Sequence, residues 1–308
     1  MPRVSRREFV WRGAAGAVAA PFVLHPAPLG AAAVTAQEIV DRIRTAVGVE
    51  WKASTVDTFK AGEPSTPVTG VVTTSLATID VLRRAVKAGA NMVITSGPTF
   101  YSRADTPTPP AGRGQDAAAL PSRPGDPVLA AKHEFIKANN LVVWRFSDHW
   151  QLRAPNPFVA GMTDALGWTR YRTSRDPVRL RVPQLTLDAL AARVKRALDA
   201  RGGIRVVGRP QTRVRAVAVL PGTVAIQPVV AVLPSVDVIV AGEIREWESS
   251  EYARDVADAG LGKGLVLVGR SLSEDAGMRV CAEWLRPIVR EVPVRWLPAG
   301  DPYWRPAT

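Results

Sequence analysis

Cysteine is almost missing from this chain. Cys281 is the only one in 308 residues, which excludes an intramolecular disulfide and a cysteine-based zinc cluster. Histidine is nearly as scarce, with His25, His133 and His149 making up the full set. Ser271 and Ser273 therefore have no motif-bearing histidine partner, and serine-hydrolase chemistry loses its general base. There is no Gly-x-x-x-x-Gly-Lys phosphate loop. The glycine run Gly260-Leu261-Gly262-Lys263-Gly264 precedes a strand pattern, whereas a dinucleotide fingerprint follows a strand and opens a helix. The apolar run from Gly13 to Leu24 has twelve residues, short of the roughly 20 that cross a bilayer as a helix. No short internal repeat stands out.

What is present is a globular composition, with 46% hydrophobic and 22% charged residues and enough length for one large domain or two ordinary ones. The net charge of +12 raises the question of a polyanionic partner. "WRFSDHW" sets aromatics beside Arg145, an interleaving that can hold bases. Tryptophan at a strand end more commonly packs a core, so nucleic acid is not an expected partner. The N-terminus carries the clearest address. Arg6 and Arg7, the apolar segment, and the small residues around Ala33 and Ala36 occur in the order of a twin-arginine export signal. Residues 1–33 are thus expected to be a signal, cleaved after Ala33 or Ala36 or kept as an anchor. The destination is periplasmic or extracytoplasmic, with no stable membrane span in the mature chain.

Beyond the signal, helical and strand patterns alternate. "TAQEIVDRIRTAVG" has helical spacing with Thr35 as N-cap. "VTGVVTTS", "ATIDVLRRAVKAGA" and "NMVITSG" form a β-α-β unit, which implies a parallel pair with a right-handed crossover. Residues 103–127, rich in Pro, Gly and Ala, are expected to be a flexible insertion. A helix (127–140), the strand of "LVVWRFSDHW" and a short helix in "MTDALGW" complete a first lobe, 34–175. The second lobe, 176–308, repeats the theme. A helix capped by Thr186 precedes strands in "VRAVAVLPG", "VDVIVAGEI" and "GLVLVG". Helices from "WESSEYARDVADAG" and "MRVCAEWLRPIV" and a final edge strand in "VPVRWL" complete it. The fold class is α/β in layers.

Polar residues collect at strand ends, where α/β folds hold ligands. They are Ser96-Gly97, Ser147-Asp148-His149, Gly242-Glu243, and Arg270 with Glu274. Hard carboxylate donors plus one imidazole could hold a divalent cation. The plainer alternatives are a hydrogen-bonded Asp148–His149 pair and an Arg270–Glu274 ion pair at a helix entry.

Five segments carry a resemblance. They are "VDTFKAGEPSTPVTGVVTTSLATIDVLRRAVKAGANMVITSGPTFY", "NNLVVWRFSDHW", "RVVGRPQTRVRAVAVLPG", "VDVIVAGEIREWESSEYARD" and "LVLVGRSLSEDAGM". In order, and with the C-terminal "VPVRWLPAGDPYW", they resemble the GTP cyclohydrolase I type 2-like, or Nif-three-like dinuclear metal centre, family and its exported branch. The resemblance implies two intertwined α/β lobes with mixed, mostly parallel sheets and a cleft between them. It also implies a hexamer built as a trimer of dimers, and two divalent metals (zinc, iron or manganese) in the cleft. The family's ligands would come from His-His or His-Glu at one strand end, a His/Asp cluster at a second, and Gly-His with a Glu four residues on.

This chain departs from that pattern at each point. Ser96 and Gly97 replace the first pair. Ser147 and Gln151 stand where histidine is expected, beside a surviving Asp148 and His149. Arg270 replaces the histidine ahead of Glu274. A glycine cannot ligate through a side chain, and an arginine places a permanent positive charge where a cation should sit. The expectation is a degenerate metal site, with at most a weak cation position on Asp148 and Glu274. Such a chain would be a non-catalytic oligomeric binding or scaffold protein, with Arg270 contacting an anionic small molecule. The alternative is a metal-dependent hydrolase acting on a nucleotide or pterin-like substrate.

Overall fold

The computed structural model describes residues 33–102, 105, 126–173 and 176–306. Arg6, Arg7 and nearly all of the expected signal, together with most of the 103–127 insertion, lie outside the described residues.

The chain enters through α1 (Ala36–Ala46), whose start is fixed by a reciprocal capping box between Thr35 and Glu38, satisfying two otherwise orphan backbone donors. Then come β1 (Phe59–Ala61), β2 (Val71–Thr74), α2 (Ile79–Lys87), β3 (Met92–Thr95), α3 (Pro127–Ala138) and β4 (Val142–Arg145). Two shorter helices follow, α4 (Asp148–Leu152) and α5 (Pro157–Ala165). The second half runs β5 (Arg172–Thr173), β6 (Asp176–Thr186), α6 (Leu187–Ala197), β7 (Arg205–Val207), β8 (Arg213–Thr223), α7 (Ile226–Val232) and β9 (Val238–Glu243). It ends with α8 (Glu251–Asp258), β10 (Gly264–Leu267), α9 (Arg270–Leu285) and β11 (Val294–Trp296).

Two sheets result, ordered β1-β4-β3-β2-β11 and β5-β6-β8-β9-β10-β7. Parallel strands make the centre of each, and antiparallel β1, β6 and β7 flank them. The central strands are buried throughout, as in Met92–Thr95 and Gly264–Leu267, because helices cover both faces. On the first sheet, α1 and α9 share one apolar core and α2 and α3 the other. On the second, α5 and α6 pack one face and α7 and α8 the other. Each fully buried side chain such as Ile39, Ile43 or Leu82 contributes roughly 1.5–3 kcal/mol of transfer free energy.

The halves exchange elements. β11, from the C-terminus, pairs in parallel with β2, and α9 carries Met278, Cys281 and Leu285 into the first sheet's core. In return, α5 of the first half and its C-cap place Met162 and Leu166 in the second sheet's core. The two helices cross where they have no side chains. A Cβ on Gly161 would lie 2.5 Å from the Ala276 carbonyl carbon, and one on Gly277 would lie 2.8 Å from the Phe158 Cα. Both glycines sit in an Ala-Gly-Met triplet (160–162 and 276–278). This small repeat has no periodicity to announce it in the sequence.

Six elements escape the sequence reading: the short β1, α4 and β5, and β6, β7 and α7. β6 contains Pro177 and Pro183, which lower its strand signal, and its register shifts between Arg181 and Leu185. β7 and α7 are short and depend on their neighbours. A further difference is α9, which runs unbroken through Gly277, where the sequence suggests a loop and a fresh helix.

Candidate functional site

The carboxyl ends of β2, β3 and β4 and those of β8 and β9 come together around the first turn of α9. Ser96, fully buried after β3, donates from Oγ to Glu274 Oε2 at 2.9 Å. Arg270 Nε donates to Glu274 Oε1 at 3.1 Å, the helix-entry pair that the four-residue spacing suggests. Gly222 at φ +81° comes close to the same carboxylate: a Cβ there would stand 2.9 Å from Oε1. Beside it, a Cβ on Gly242 would collide with the Gly222 carbonyl at 2.3 Å and Ser273 Oγ at 2.5 Å. Ser273 Oγ instead accepts the Gly222 N–H at 2.9 Å and donates to the Arg270 carbonyl at 2.7 Å. Glycine at both strand ends is what lets α9 lower Glu274 onto Ser96.

A second buried network adjoins it. Ser75 Oγ donates to Asp275 Oδ1 at 2.5 Å, and Asp275 also accepts the N–H groups of Ala299 and Gly300. Burial pushes the Asp275 carboxyl above its ordinary range, against these hydrogen bonds. Arg145, at the end of β4, donates from Nε to the Ser96 carbonyl at 3.2 Å. Burial lowers its pKa, and its charge feels Asp105, Arg270, Asp57 and Asp148.

The β4–α4 corner is organised by Asp57, which the sequence reading does not single out. Its Oδ1 accepts the N–H groups of Ser147 (2.6 Å) and Asp148 (3.0 Å), and its Oδ2 accepts that of His149 (2.9 Å). Three orphan donors at the start of α4 are thus satisfied by one carboxylate. The His149 ring is fully buried. Its Nδ1 lies 2.7 Å from Asp57 Oδ2, and its Nε2 accepts the Lys52 N–H at 2.9 Å. Those partners select the tautomer with the proton on Nδ1. Trp51 stacks on the ring at 3.7 Å. The partner of His149 is therefore Asp57, not Asp148 as its sequence neighbourhood suggests. Asp148 Oδ2 is taken by Thr55 Oγ1 (2.9 Å) and the Val56 N–H (3.0 Å).

Ser96, Arg270 and Glu274 thus form one network, and Asp148 and His149 belong to another. Gly97 is buried, with its N–H on the Ser75 carbonyl. Ser147 is partly buried and makes no side-chain capping bond. Gln151 is exposed on α4.

This donor set does not fit two divalent cations. The imidazole has both nitrogens engaged, Glu274 has both oxygens engaged, and Arg270 holds positive charge against that carboxylate. Among the described residues, no group of three or more His, Cys, Asp or Glu is placed to hold a metal.

The Staphylococcus aureus protein SA1388 superimposes with a TM-score of 0.65 at 15% identity, covering 89% of this chain and 100% of its own. A Bacillus cereus protein related to NIF3 gives 0.65 at 14%, over 89% and 100%. The protein ybgI, of unknown function, gives 0.61 at 17%, over 87% and 100%. The fold is NIF3-like. No protein-family model matches the chain, and no curated protein matches it in sequence. The NIF3-like fold agrees with the mixed α/β architecture that the family resemblance implies, and at these identities the likeness speaks for the fold alone.

Proposed function

We propose that this chain is an exported member of the Nif-three-like family, with a degenerate metal site, that works by binding rather than by catalysis. It would be an oligomeric scaffold, hexameric by family resemblance, in which a Ser96–Glu274–Arg270 network occupies the place of a dinuclear metal centre. The observation that carries this reading is the double engagement of Glu274. Its oxygens face a buried hydroxyl and a guanidinium, so a cation entering there would have to displace both and sit against Arg270. Arg270 keeps part of its side chain exposed (28%), which supports a charge-assisted contact to an anionic small molecule in the cleft.

Elemental analysis of the purified full chain tests the reading. Less than one equivalent of zinc, iron or manganese is expected, with uptake rising in the triple variant Ser96→His/Ser147→His/Arg270→His. Two equivalents in the unaltered chain would overturn it and favour the metal-dependent hydrolase.

Export belongs to the same proposal. Cleavage after Ala33 leaves Val34, which is buried, and the Thr35 cap in place, whereas cleavage after Ala36 removes both. Periplasmic fractionation of an Arg6→Lys/Arg7→Lys variant should show retention in the cytoplasm, and N-terminal sequencing of the exported chain should begin at Val34.

A further inference from the structure

A cavity of about 430 Å³ lies between the α5–β5 connection, β6 and α6. That volume is within the range of small-molecule sites. None of its lining residues contributes to the Ser96–Glu274 network or to the Asp57–His149 corner. Its walls are apolar and aromatic, with Trp168 and Leu190 buried and Tyr171 partly buried.

Its polar lining is of one sign. Arg170, Arg193 and Arg196 all border the cavity, and among the described residues no acidic one does. Arg193 and Arg196 are three apart on α6 and so share a face. Arg170 is held with its guanidinium 4.9 Å from the Tyr171 ring centroid. None of the three makes an ion pair among the described residues, unlike Arg279, whose guanidinium neutralises the nearby Asp164. Three uncompensated guanidiniums around an aromatic floor raise the local potential for anions. They also offer planar donors suited to carboxylate, sulfonate or phosphate oxygens.

We propose that this cavity is a binding site for a small amphipathic anion: a flat apolar body against Trp168, Tyr171 and Leu190, with its acidic group among Arg170, Arg193 and Arg196. This site is separate from the strand-end cleft and does not depend on what that cleft binds.

The probe is 1-anilinonaphthalene-8-sulfonate, titrated into the folded full chain at low salt, with energy transfer from tryptophan as the readout. One saturable site per chain is expected. Arg193→Glu/Arg196→Glu reverses charge on an exposed helix face and should weaken binding at least about tenfold, with an unchanged melting temperature. Ala197→Trp, which fills the cavity from its lining, should abolish the site by bulk alone. A naphthyl-ammonium of similar size should bind at least about tenfold more weakly than the sulfonate. Equal binding of the two probes, less than a twofold change on charge reversal, or only multiple weak sites would each overturn the proposal.

Discussion

At the carboxyl ends of β2, β3 and β4 the first half buries charge. Asp57, Lys60, Asp105, Lys132 and Arg145 are all under a tenth exposed. At the matching ends of β8, β9 and β10 the second half has glycine instead: Gly222, Gly242 and Gly269. The contrast is physical. A buried charge is tolerated only when its partners surround it, and Asp57 is locked in this way, accepting three backbone N–H groups and facing an imidazole. Glycines carry no such demand and leave room, and into that room α9 delivers Glu274 and Arg270. The first half supplies a rigid wall, and the second supplies the charged group that meets it.

Substitutions at either set of strand ends should distinguish the two halves. The largest effect is expected for Asp57→Ala, which orphans three N–H groups and strips His149 of its partner. A loss of about 3 kcal/mol or more should appear in denaturant unfolding, and a loss under about 1 kcal/mol would show that the corner is not held as described. Gly242→Ala should cost about 2–3 kcal/mol, because the added methyl meets the Gly222 backbone, and it should also separate Glu274 from Ser96. A wild-type-like melting curve for that variant would count against the close approach.

The buried charge itself can be titrated. Burial lowers Lys132 from the ordinary 10.5 to about 8, partly offset by Asp105. Between those values the unfolded chain holds a proton that the folded chain has released, so stability rises with pH across that window. Below about 8 both states are protonated and the contribution is flat. Measured against Lys132→Met, the unaltered chain should gain stability from pH 8 to 10.5, and parallel curves would contradict this. The smallest effect belongs to Arg270→Ala. Its side chain is partly exposed and solvent-screened, and Ser96 still holds the carboxylate, so a change of about 1 kcal/mol or less is expected. A large loss would make Arg270 part of the locked wall rather than the adaptable half.

Much of this site could be located from the sequence, but not wired. Ser96, Arg270 and Glu274 were each legible as strand-end or helix-entry residues, and the four-residue spacing of Arg270 and Glu274 anticipated their pair. Asp148 and His149, adjacent and at the same strand end, invited an assignment to each other. Asp57 left no signal, being a single aspartate in a loop before β1, yet it is the residue that commits His149 to a structural role.

Local chemistry dictates the Thr35 and Thr186 caps, the β-branched central strands, the stops at glycine, and the scarcity of metal-ligating side chains. These follow from propensity, periodicity and composition, which act over a few residues. Long-range packing instead brings β11 back to the first sheet, crosses α5 and α9 at bare glycine, and sets Ser96 against Glu274 from 178 positions away. Contacts of that range depend on how two sheets and a shared helix pack together, and no local pattern encodes which buried donor will find which acceptor.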